Sequence, residues 1–394
     1  MDPRRNPYAP GAGTPPPDLA GRDAIIERAA IALDRIRAGR AARSFIYYGL
    51  RGVGKTVLLN KIRIDAEARG IATVLAEAPE GRTLPGMLVP ALRLALLRLS
   101  RGEAAKAGLA RAMRALAGFV NAVRVKYDDV EVGFDFETEK GLADSGDLDS
   151  DLADLLNAIG DAAAERKTAF VLFIDELQYV PEKQLAALIS ALHRVSQNQK
   201  PVTLVAAGLP QLLGQMGRAK SYAERLFEFI ETTQLDETAA RDAIVNPAKD
   251  EGAQYKEDAV NEILKQTQCY PYFLQEWGKH SWDIAEQSPI TLADVKHATL
   301  TALAEMDASF FRVRFDRLTP SEKHYLRAMA ELGAGPHRSG DIADILGKKV
   351  NEVAPTRSRL IDKGMIYSLS HGDNAFTVPL FDGFMKRAIS TLDL

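Results

Sequence analysis

Eight consecutive residues, from Gly49 to Thr56, have the types and the spacing that bind a phosphate chain. The segment Gly-Leu-Arg-Gly-Val-Gly-Lys-Thr matches the pattern G-x-x-x-x-G-K-[ST] in full. Glycines let such a loop curl so that backbone N–H groups converge on an anion, and the positive end of a following helix adds to the attraction. The residues predicted to hold the phosphates are Gly49, Arg51, Gly52, Val53, Gly54, Lys55, Thr56 and Val57.

Two of these residues would also take part in chemistry. Lys55 is expected to reach the β- and γ-phosphates, and Thr56 is expected to ligate Mg²⁺. The alternative, a glycine turn with an incidental lysine, requires that the apolar strand before the loop and the helical pattern after it be coincidental.

An acidic pair after an apolar run could complete this site. Residues 170–174 are Phe-Val-Leu-Phe-Ile, and Asp175 and Glu176 follow. The carboxyl end of a parallel strand is where a magnesium-holding acid is expected. We predict that Asp175 binds Mg²⁺ through water and that Glu176, a catalytic residue together with Lys55, orients and polarises the attacking water. A strand that ends in two solvated acids is the alternative.

The elements around these residues alternate between strands and helices. Strands are predicted at 44–48, 71–76, 169–175, 202–207 and 227–231, and helical patterns lie between them. This alternation predicts an α/β fold, with βαβ units and a parallel sheet that is covered on both faces. Beyond residue 235 the chain is predicted to be helical.

The composition excludes several classes of protein. The 394 residues are too many for one compact core, and a net charge of −3 excludes a polycation built to coat nucleic acid. The single cysteine, Cys269, excludes an internal disulfide framework and a cysteine-based zinc site. With neither a signal peptide nor an apolar run of membrane-spanning length, we expect a cytoplasmic protein that makes no membrane contact.

Residues 318–378 form a pattern of their own. A helix cap at residues 319–322, two further short helices at 339–346 and 350–363, and two strands around a turn resemble a winged-helix domain. Its third helix would present cations to a DNA major groove: Lys348, Lys349, Arg357, Arg359 and Lys363. Residues 309–394 carry thirteen Lys and Arg against ten Asp and Glu, a net of +3. That is low for a DNA binder, so a protein-interaction or switch role stays open.

The phosphate-binding loop, the Asp-Glu pair and the helical segment after them together resemble an AAA+ ATPase. The chain looks most like the branch of origin-recognition-type initiators, transposition ATPases, and archaeal-type and STAND ATPases. Residues 19–23, Leu-Ala-Gly-Arg-Asp, are similar to the box that opens these domains. The resemblance implies that Gly21 and Arg22 contact adenine, so that the bound nucleotide is ATP.

Three further segments carry the resemblance. Residues 202–208 look like the sensor-1 strand, in which Thr203 could lie too early to reach the γ-phosphate. Residues 221–227 lie where the family has its arginine finger, which implies that Arg225 acts on the next subunit, with Arg218 as the second choice. Residues 269–275 resemble the lid motif, which implies that Pro271 packs near the base.

The segment between the two motifs is longer than the family core requires. An alternating apolar pattern at residues 123–136 predicts a β-hairpin, and residues 128–151 carry ten carboxylates against one lysine, Lys140. With no His or Cys among those acids, a solvated acidic loop is favoured over a metal site. A protein-partner or subunit contact is a better expectation for this insertion than DNA.

The expected organisation follows from these parts. We predict an extended arm at 1–17, a P-loop ATPase domain at 18–234 with an insertion at about 79–150, a helical lid at 235–308 and a winged-helix domain at 309–394. The expected function is that of an AAA+ protein that binds and hydrolyses ATP with Mg²⁺, and that couples nucleotide state to homo-oligomerisation or to partner binding. A STAND-like switch with little turnover stays open, as does a DNA-associated ATPase that binds double-stranded DNA through 348–363.

Overall fold

The computed structural model describes residues 1–11, 13–17, 19–78, 80–100, 106–124, 126, 138–368 and 372–391. They form two compact units. The sheet unit comprises Arg22–Tyr48 and Lys55–Glu231. The helical unit comprises Met1–Gly21, Gly49–Gly54 and Thr232–Leu394. No helix in the described ranges is long and apolar enough to cross a membrane.

The sheet unit is built on five parallel strands in the order β2-β3-β4-β1-β5. Their bounds are β1 Ser44–Tyr48, β2 Ala72–Glu77, β3 Phe170–Asp175, β4 Val202–Gly208 and β5 Phe227–Glu231. The central strands are largely apolar because both faces of the sheet are covered, and residues 170–174 are fully buried. The predicted α/β fold with a parallel sheet is confirmed.

Alternate residues of each strand enter different cores. Tyr47, Phe173 and Ala207 point into one core, which is shared with the first two helices. Ile46 and Leu172 point into the other core, which is shared with the remaining helices. This division follows from the two-residue period of a strand. The helices of the sheet unit are α1 Asp23–Arg37, α2 Lys55–Ala68, α3 Leu84–Leu99, α4 Lys106–Arg124, α5 Leu148–Glu165, α6 Glu182–Gln197, α7 Leu212–Ala219 and α8 Ala223–Leu226.

The predicted insertion at 79–150 contains α3, α4 and the start of α5. The two inserted helices bury apolar side chains such as Leu92 and Phe119 in the same core as α5 and α6. Residues 127–137, which carry most of the predicted hairpin, lie outside the described residues. Its first member, Val123, is part of α4.

The helical unit begins with a run of helices and continues into a small mixed module. The helices of the first part are α9 Glu237–Asp250, α10 Glu257–Thr267, α11 Pro271–Ile284, α12 Leu292–Ala308 and α13 Arg312–Asp316. The module contains α14 Pro320–Glu331, β6 His337–Arg338, α15 Ser339–Ile345, α16 Val350–Asp362, β7 Ile366–Tyr367, β8 Asp373–Phe376 and α17 Phe381–Ala388. The three strands are antiparallel in the order β6-β8-β7.

Local sequence determines where several of these helices begin. Thr319 and Glu322 form a reciprocal capping box at the start of α14, as the motif predicts. The segment predicted as an arm, residues 1–17, contains one 3-10 turn at Pro3–Arg5. Tyr8 is buried there, and its hydroxyl donates a hydrogen bond to the Ile244 carbonyl of α9.

Packing between α5 and β4 leaves no room for a side chain at Gly160. A Cβ atom there would lie 2.6 Å from the Lys200 Cβ and 3.2 Å from the Val202 Cγ2. We expect Gly160→Ala to lower the free energy of unfolding by about 1–3 kcal/mol, because the helix must move away from the sheet. Thermal denaturation measures the change.

The matched control is Gly217→Ala in α7, where an added Cβ meets nothing within 4 Å. That variant should be more stable by about 0.5–1 kcal/mol because alanine favours the helix. Equal melting temperatures for the two variants would contradict the packing argument.

Candidate functional site

The loop between β1 and α2 has a backbone that requires glycine. Gly52 and Gly54 have φ angles of +82° and +86°, which side-chain-bearing residues rarely adopt. At Gly49 an added Cβ would lie 2.0 Å from the Thr232 carbonyl oxygen, so no side chain fits. The glycines of the motif are therefore demanded by this loop conformation.

Within the helical unit, this loop is held by two backbone hydrogen bonds. The N–H of Tyr272 donates to the Gly52 carbonyl at 3.1 Å, and Tyr272 directly follows Pro271, the first residue of α11. The N–H of Arg51 donates to the Thr377 carbonyl at 2.9 Å. The first bond comes from the predicted lid, and the second comes from the C-terminal module.

In the sheet unit, α2 begins at Lys55 and brings Thr56 to the carboxyl end of β3. The Thr56 Oγ1 donates a 2.6 Å hydrogen bond to Asp175 Oδ2, although the two residues are 119 positions apart in sequence. Lys55 and Asp175 are both buried, with 8% and 7% of their surfaces exposed. The structure thus brings together the two motifs that the sequence predicts to share a site.

The carboxyl group of Asp175 sits in an environment that disfavours its charge. Burial raises the pKa of Asp175, and the neighbouring charge of Glu176 raises it further. The hydrogen bond from Thr56 and the charge of Lys55 act in the opposite direction without cancelling the increase. An acid in this state gains strongly from a nearby cation.

Glu176 follows Asp175 with an unusual backbone. Its φ of +53° lies in the left-handed region, which is strained for a residue with a side chain, and its N–H donates to Asp175 Oδ1 at 2.8 Å. Strain of this kind is found where the position of a side chain matters. The carboxylate oxygen Oε2 of Glu176 accepts a hydrogen bond from the side-chain amide of Gln178.

Gln178 is a site residue that the sequence reasoning did not identify. It is 5% exposed, and its Oε1 accepts a 3.0 Å hydrogen bond from the Leu209 N–H just beyond β4. The signal in the sequence was an amide side chain two residues after the Asp-Glu pair. Thr203 lies near the start of β4, where its hydroxyl pairs with Ser44 Oγ at 3.0 Å.

The remaining candidates of the predicted nucleotide site are spread over both units. Arg225 is exposed on α8, and Arg218 of α7 forms an ion pair with Glu182 at 3.1 Å. In the sheet unit, Arg22 is 8% exposed, and its carbonyl accepts hydrogen bonds from the N–H groups at the start of α1. In the helical unit, Gly21 has a φ of +68° and lies close to α9.

Three of the five cations predicted for a DNA groove bind groups of their own module. Arg357 donates to Asn374 and to Ser368 Oγ, both of which lie outside α16. Arg359 and Lys363 pair with Glu322, a fully buried carboxylate, at 3.6 and 2.8 Å. Lys348 and Lys349 are exposed next to the start of α16. The cations of this helix therefore serve largely to hold the module together.

Sequence comparison places the site in a family. Residues 18–205 match the family described as an AAA ATPase domain, a range that contains the phosphate-binding loop and the Asp-Glu pair. Residues 18–205 are an AAA+ P-loop ATPase domain. The predicted family is therefore confirmed. Residues 308–385 match a family described as a domain of unknown function, and no curated protein matches the chain significantly.

Several solved structures are similar to this chain. The Walker-type ATPase PABY2304 of Pyrococcus abyssi is 14% identical with a TM-score of 0.60, over 95% of this chain and 97% of that chain. The Aeropyrum pernix ORC1 protein in complex with DNA is 17% identical with a TM-score of 0.46, over 94% of each chain. The Thermotoga maritima RuvB Holliday junction branch migration motor is 15% identical with a TM-score of 0.44, over 91% and 92%. At 14% identity, the similarity to the Walker-type ATPase concerns the fold alone.

The raised pKa of Asp175 predicts how stability depends on pH without metal or nucleotide. Because the folded pKa lies above the unfolded value, the ionised carboxylate destabilises the fold, and this penalty develops as the pH rises above about 4. Asp175→Asn should therefore raise the melting temperature at pH 7 in a chelating buffer. The gain should disappear as the pH falls towards 3.

Asp147→Asn is a control of the opposite sign. Hydrogen bonds from Ser150 hold the pKa of Asp147 below its usual value. Its charge therefore stabilises the N-terminus of α5 at any pH above the pKa that Asp147 has in the unfolded chain. This variant should lose stability at pH 7. A melting temperature for Asp175→Asn at or below that of the wild-type protein at pH 7 would contradict the argument.

Proposed function

We propose that this AAA+ ATPase binds ATP with Mg²⁺ at the P-loop and uses the nucleotide state to control its own assembly. The observation that carries the proposal is the direct contact between Thr56 and Asp175. A P-loop hydroxyl and a strand-end carboxylate at 2.6 Å are the two protein oxygens that a P-loop enzyme needs beside its phosphates.

The chemistry of these two oxygens fits magnesium. Mg²⁺ prefers oxygen ligands, keeps several waters, and is usually bound by one or two protein groups together with the phosphates of the substrate. Thr56 and Asp175 would hold the ion, which would neutralise charge on the β- and γ-phosphates. Among the described residues, no group of three or more His, Cys, Asp or Glu side chains could hold a metal ion without such phosphates.

The roles of the other residues follow from their positions. Lys55, buried at the start of α2, would pair with the β- and γ-phosphates. The backbone N–H groups of the P-loop and the positive end of α2 would bind the same charge. Glu176, one residue past Asp175, would orient and polarise the attacking water, because catalysis here is positioning and charge neutralisation.

Replacing Glu176 by Gln should separate binding from hydrolysis. We expect turnover to fall by about 100-fold or more, because the amide cannot polarise water, while ATP binding stays within a few-fold of the wild-type value. Steady-state ATPase assays and calorimetric titration with Mg-ATP measure the two quantities.

Two lysine variants on α2 control this experiment. Lys55→Ala should weaken ATP binding by about 10- to 100-fold, whereas Lys61→Ala, which loses only an exposed ion pair with Asp65, should bind normally. Full turnover in Glu176→Gln would remove Glu176 from the catalytic step.

Assembly is the second part of the proposal. Arg225 is exposed on α8, directly before β5, and an exposed guanidinium at this place suits an arginine finger that completes the site of a neighbouring subunit. The insertion is a further contact surface in this proposal, because Leu94 and Leu97 of α3 are 51% and 39% exposed.

A mixing experiment tests whether Arg225 acts on a neighbour. Arg225→Ala and Glu176→Gln should each have little turnover alone, and mixing them should restore part of it, because one subunit keeps its Glu176 and the other supplies the arginine. The same mixing experiment with Arg218→Ala tests Arg218, the second candidate for the arginine finger. Light scattering with ADP and with a non-hydrolysable ATP analogue should detect the larger species only with the analogue.

A nucleotide-gated switch is the second candidate function, and one observation favours it. The Thr377 carbonyl of the C-terminal module accepts a hydrogen bond from the Arg51 N–H of the P-loop. If nucleotide binding shifts the P-loop, this hydrogen bond would change, and the shift would reach the module directly. A monomer in every nucleotide state, with no restoration of turnover on mixing, would favour this switch over the assembling ATPase.

For residues 348–363 we propose a protein partner in preference to double-stranded DNA. The internal bonds of Arg357, Arg359 and Lys363 leave fewer cations for phosphate contacts. Salt-dependent binding to duplex DNA would reverse this preference.

A further inference from the structure

We infer that Gln178 is a positioning residue for the hydrolytic step, which holds the Glu176 carboxylate against the end of β4. The inference rests on the proposed role of Glu176 as the residue that polarises the attacking water. It concerns only residues of the sheet unit.

Both ends of the Gln178 amide are engaged, and their orientation is determined. The backbone N–H of Leu209 can only donate, so the amide oxygen Oε1 of Gln178 must face it. The Leu209 nitrogen and this oxygen are 3.0 Å apart. The NH₂ group is therefore the end that faces Glu176, to whose Oε2 it donates. With 5% of its surface exposed, Gln178 is shielded from water that would compete for either bond.

The backbone around Gln178 is held as well. Gln178 lies in the 3-10 turn Leu177–Tyr179, and the Tyr179 N–H donates to the Glu176 carbonyl at 3.0 Å. The Gln178 carbonyl accepts a 3.2 Å hydrogen bond from Gln215 of α7. This short turn connects the strained backbone of Glu176 to a neighbouring helix, so the amide has a rigid base.

The end of β4 is shaped to receive the amide. A Cβ atom at Gly208 would lie 2.8 Å from the Gln178 Oε1 and 2.7 Å from the Leu212 Cδ2, so a side chain there would displace the amide or Leu212. The last three residues of β4 are Ala206, Ala207 and Gly208, none of which has a polar side chain. Gln178 therefore supplies a polar side chain at this strand end, which β4 itself does not provide.

A neutral amide suits this task chemically. Its N–H fixes the plane of the Glu176 carboxylate by a hydrogen bond, yet it does not neutralise the charge as a lysine or arginine would. The carboxylate keeps its ability to accept a hydrogen bond from water in the hydrolytic step. Because Gln178 acts through Glu176, it should affect turnover and leave ATP binding unchanged.

The experiment compares three variants in the full-length protein with Mg-ATP. Gln178→Leu removes both hydrogen bonds of the amide, and Gln178→Glu keeps the acceptor for Leu209 but places a carboxylate against Glu176. The matched control is Gln184→Glu, a buried glutamine of α6 whose Oε1 accepts a 2.6 Å hydrogen bond from the Leu84 N–H. The measured quantities are kcat, KM and the Kd for ATP.

We expect kcat to fall by about 10- to 100-fold in both Gln178 variants, with KM and Kd within about threefold of the wild-type values. The control should keep its kcat. A double-mutant cycle adds a further readout: Gln178→Leu in the Glu176→Gln background should cost little more than Glu176→Gln alone, since both act on the same step.

Several results would overturn the inference. One is a kcat in both Gln178 variants within about twofold of the control. Another is a fall in kcat matched by an equal loss of ATP binding, or an additive effect in the double mutant. If Gln178→Glu does not fold, the neutral Gln178→Leu decides alone, and loss of ATP binding in that variant counts against the inference. Wild-type turnover in Glu176→Gln would instead remove the proposed role of Glu176.

Discussion

The site depends on one geometric constraint: parallel strands end at the same edge of a sheet. In the order β2-β3-β4-β1-β5, strand β4 lies between β1 and β3. The P-loop follows β1, Asp175 and Glu176 end β3, and Leu209 follows β4. Within the sheet unit, the start of α2, the end of β3 and the segment after β4 therefore lie at one edge of the sheet. The hydrogen bond from Thr56 to Asp175 is the most direct product of that arrangement.

Two features that are unfavourable for folding lie at this edge of the sheet. Asp175 is a buried acid with a raised pKa, and Glu176 adopts a left-handed backbone. Neither feature helps the protein to fold. The cost at Asp175 is explained if a bound cation compensates the charge of its carboxylate. The strain at Glu176 is explained if its carboxylate must hold one fixed position. The polar contacts of Gln178 fit this interpretation, because they would hold the Glu176 carboxylate in one orientation.

The C-terminal module uses its charges mainly for itself. Glu322 caps α14 and pairs with Arg359 of α16 and with Lys363 directly after that helix. Arg357 links α16 to Asn374 of β8. A count of cations along α16 overstates what this helix can offer to a polyanion, since a cation that already has a buried partner must give it up first. The hydrogen bond from the Arg51 N–H of the P-loop to the Thr377 carbonyl is the contact on which the proposed nucleotide-gated switch rests.

Short sequence patterns were sufficient to predict many features of this protein. The complete P-loop motif, the Asp-Glu pair after an apolar strand, the alternation of strands and helices and the cap at Thr319 are all short-range signals, and each corresponds to a feature of the structure. They succeed because glycine conformations, helix caps and strand periodicity depend on neighbouring residues. The predicted hairpin shows the limit, since Val123 continues helix α4.

Tertiary structure decided which distant side chains meet. Sequence alone could not pair Thr203 with Ser44, bring Gln178 to Leu209, or give Lys363 a buried carboxylate. Each contact depends on strand order or on how a helix packs, and no local pattern encodes either. The residues predicted to bind phosphate lie in one sequence segment. The hydrogen bond between Gln178 and Leu209, in contrast, exists only because β3 and β4 are neighbours in the sheet.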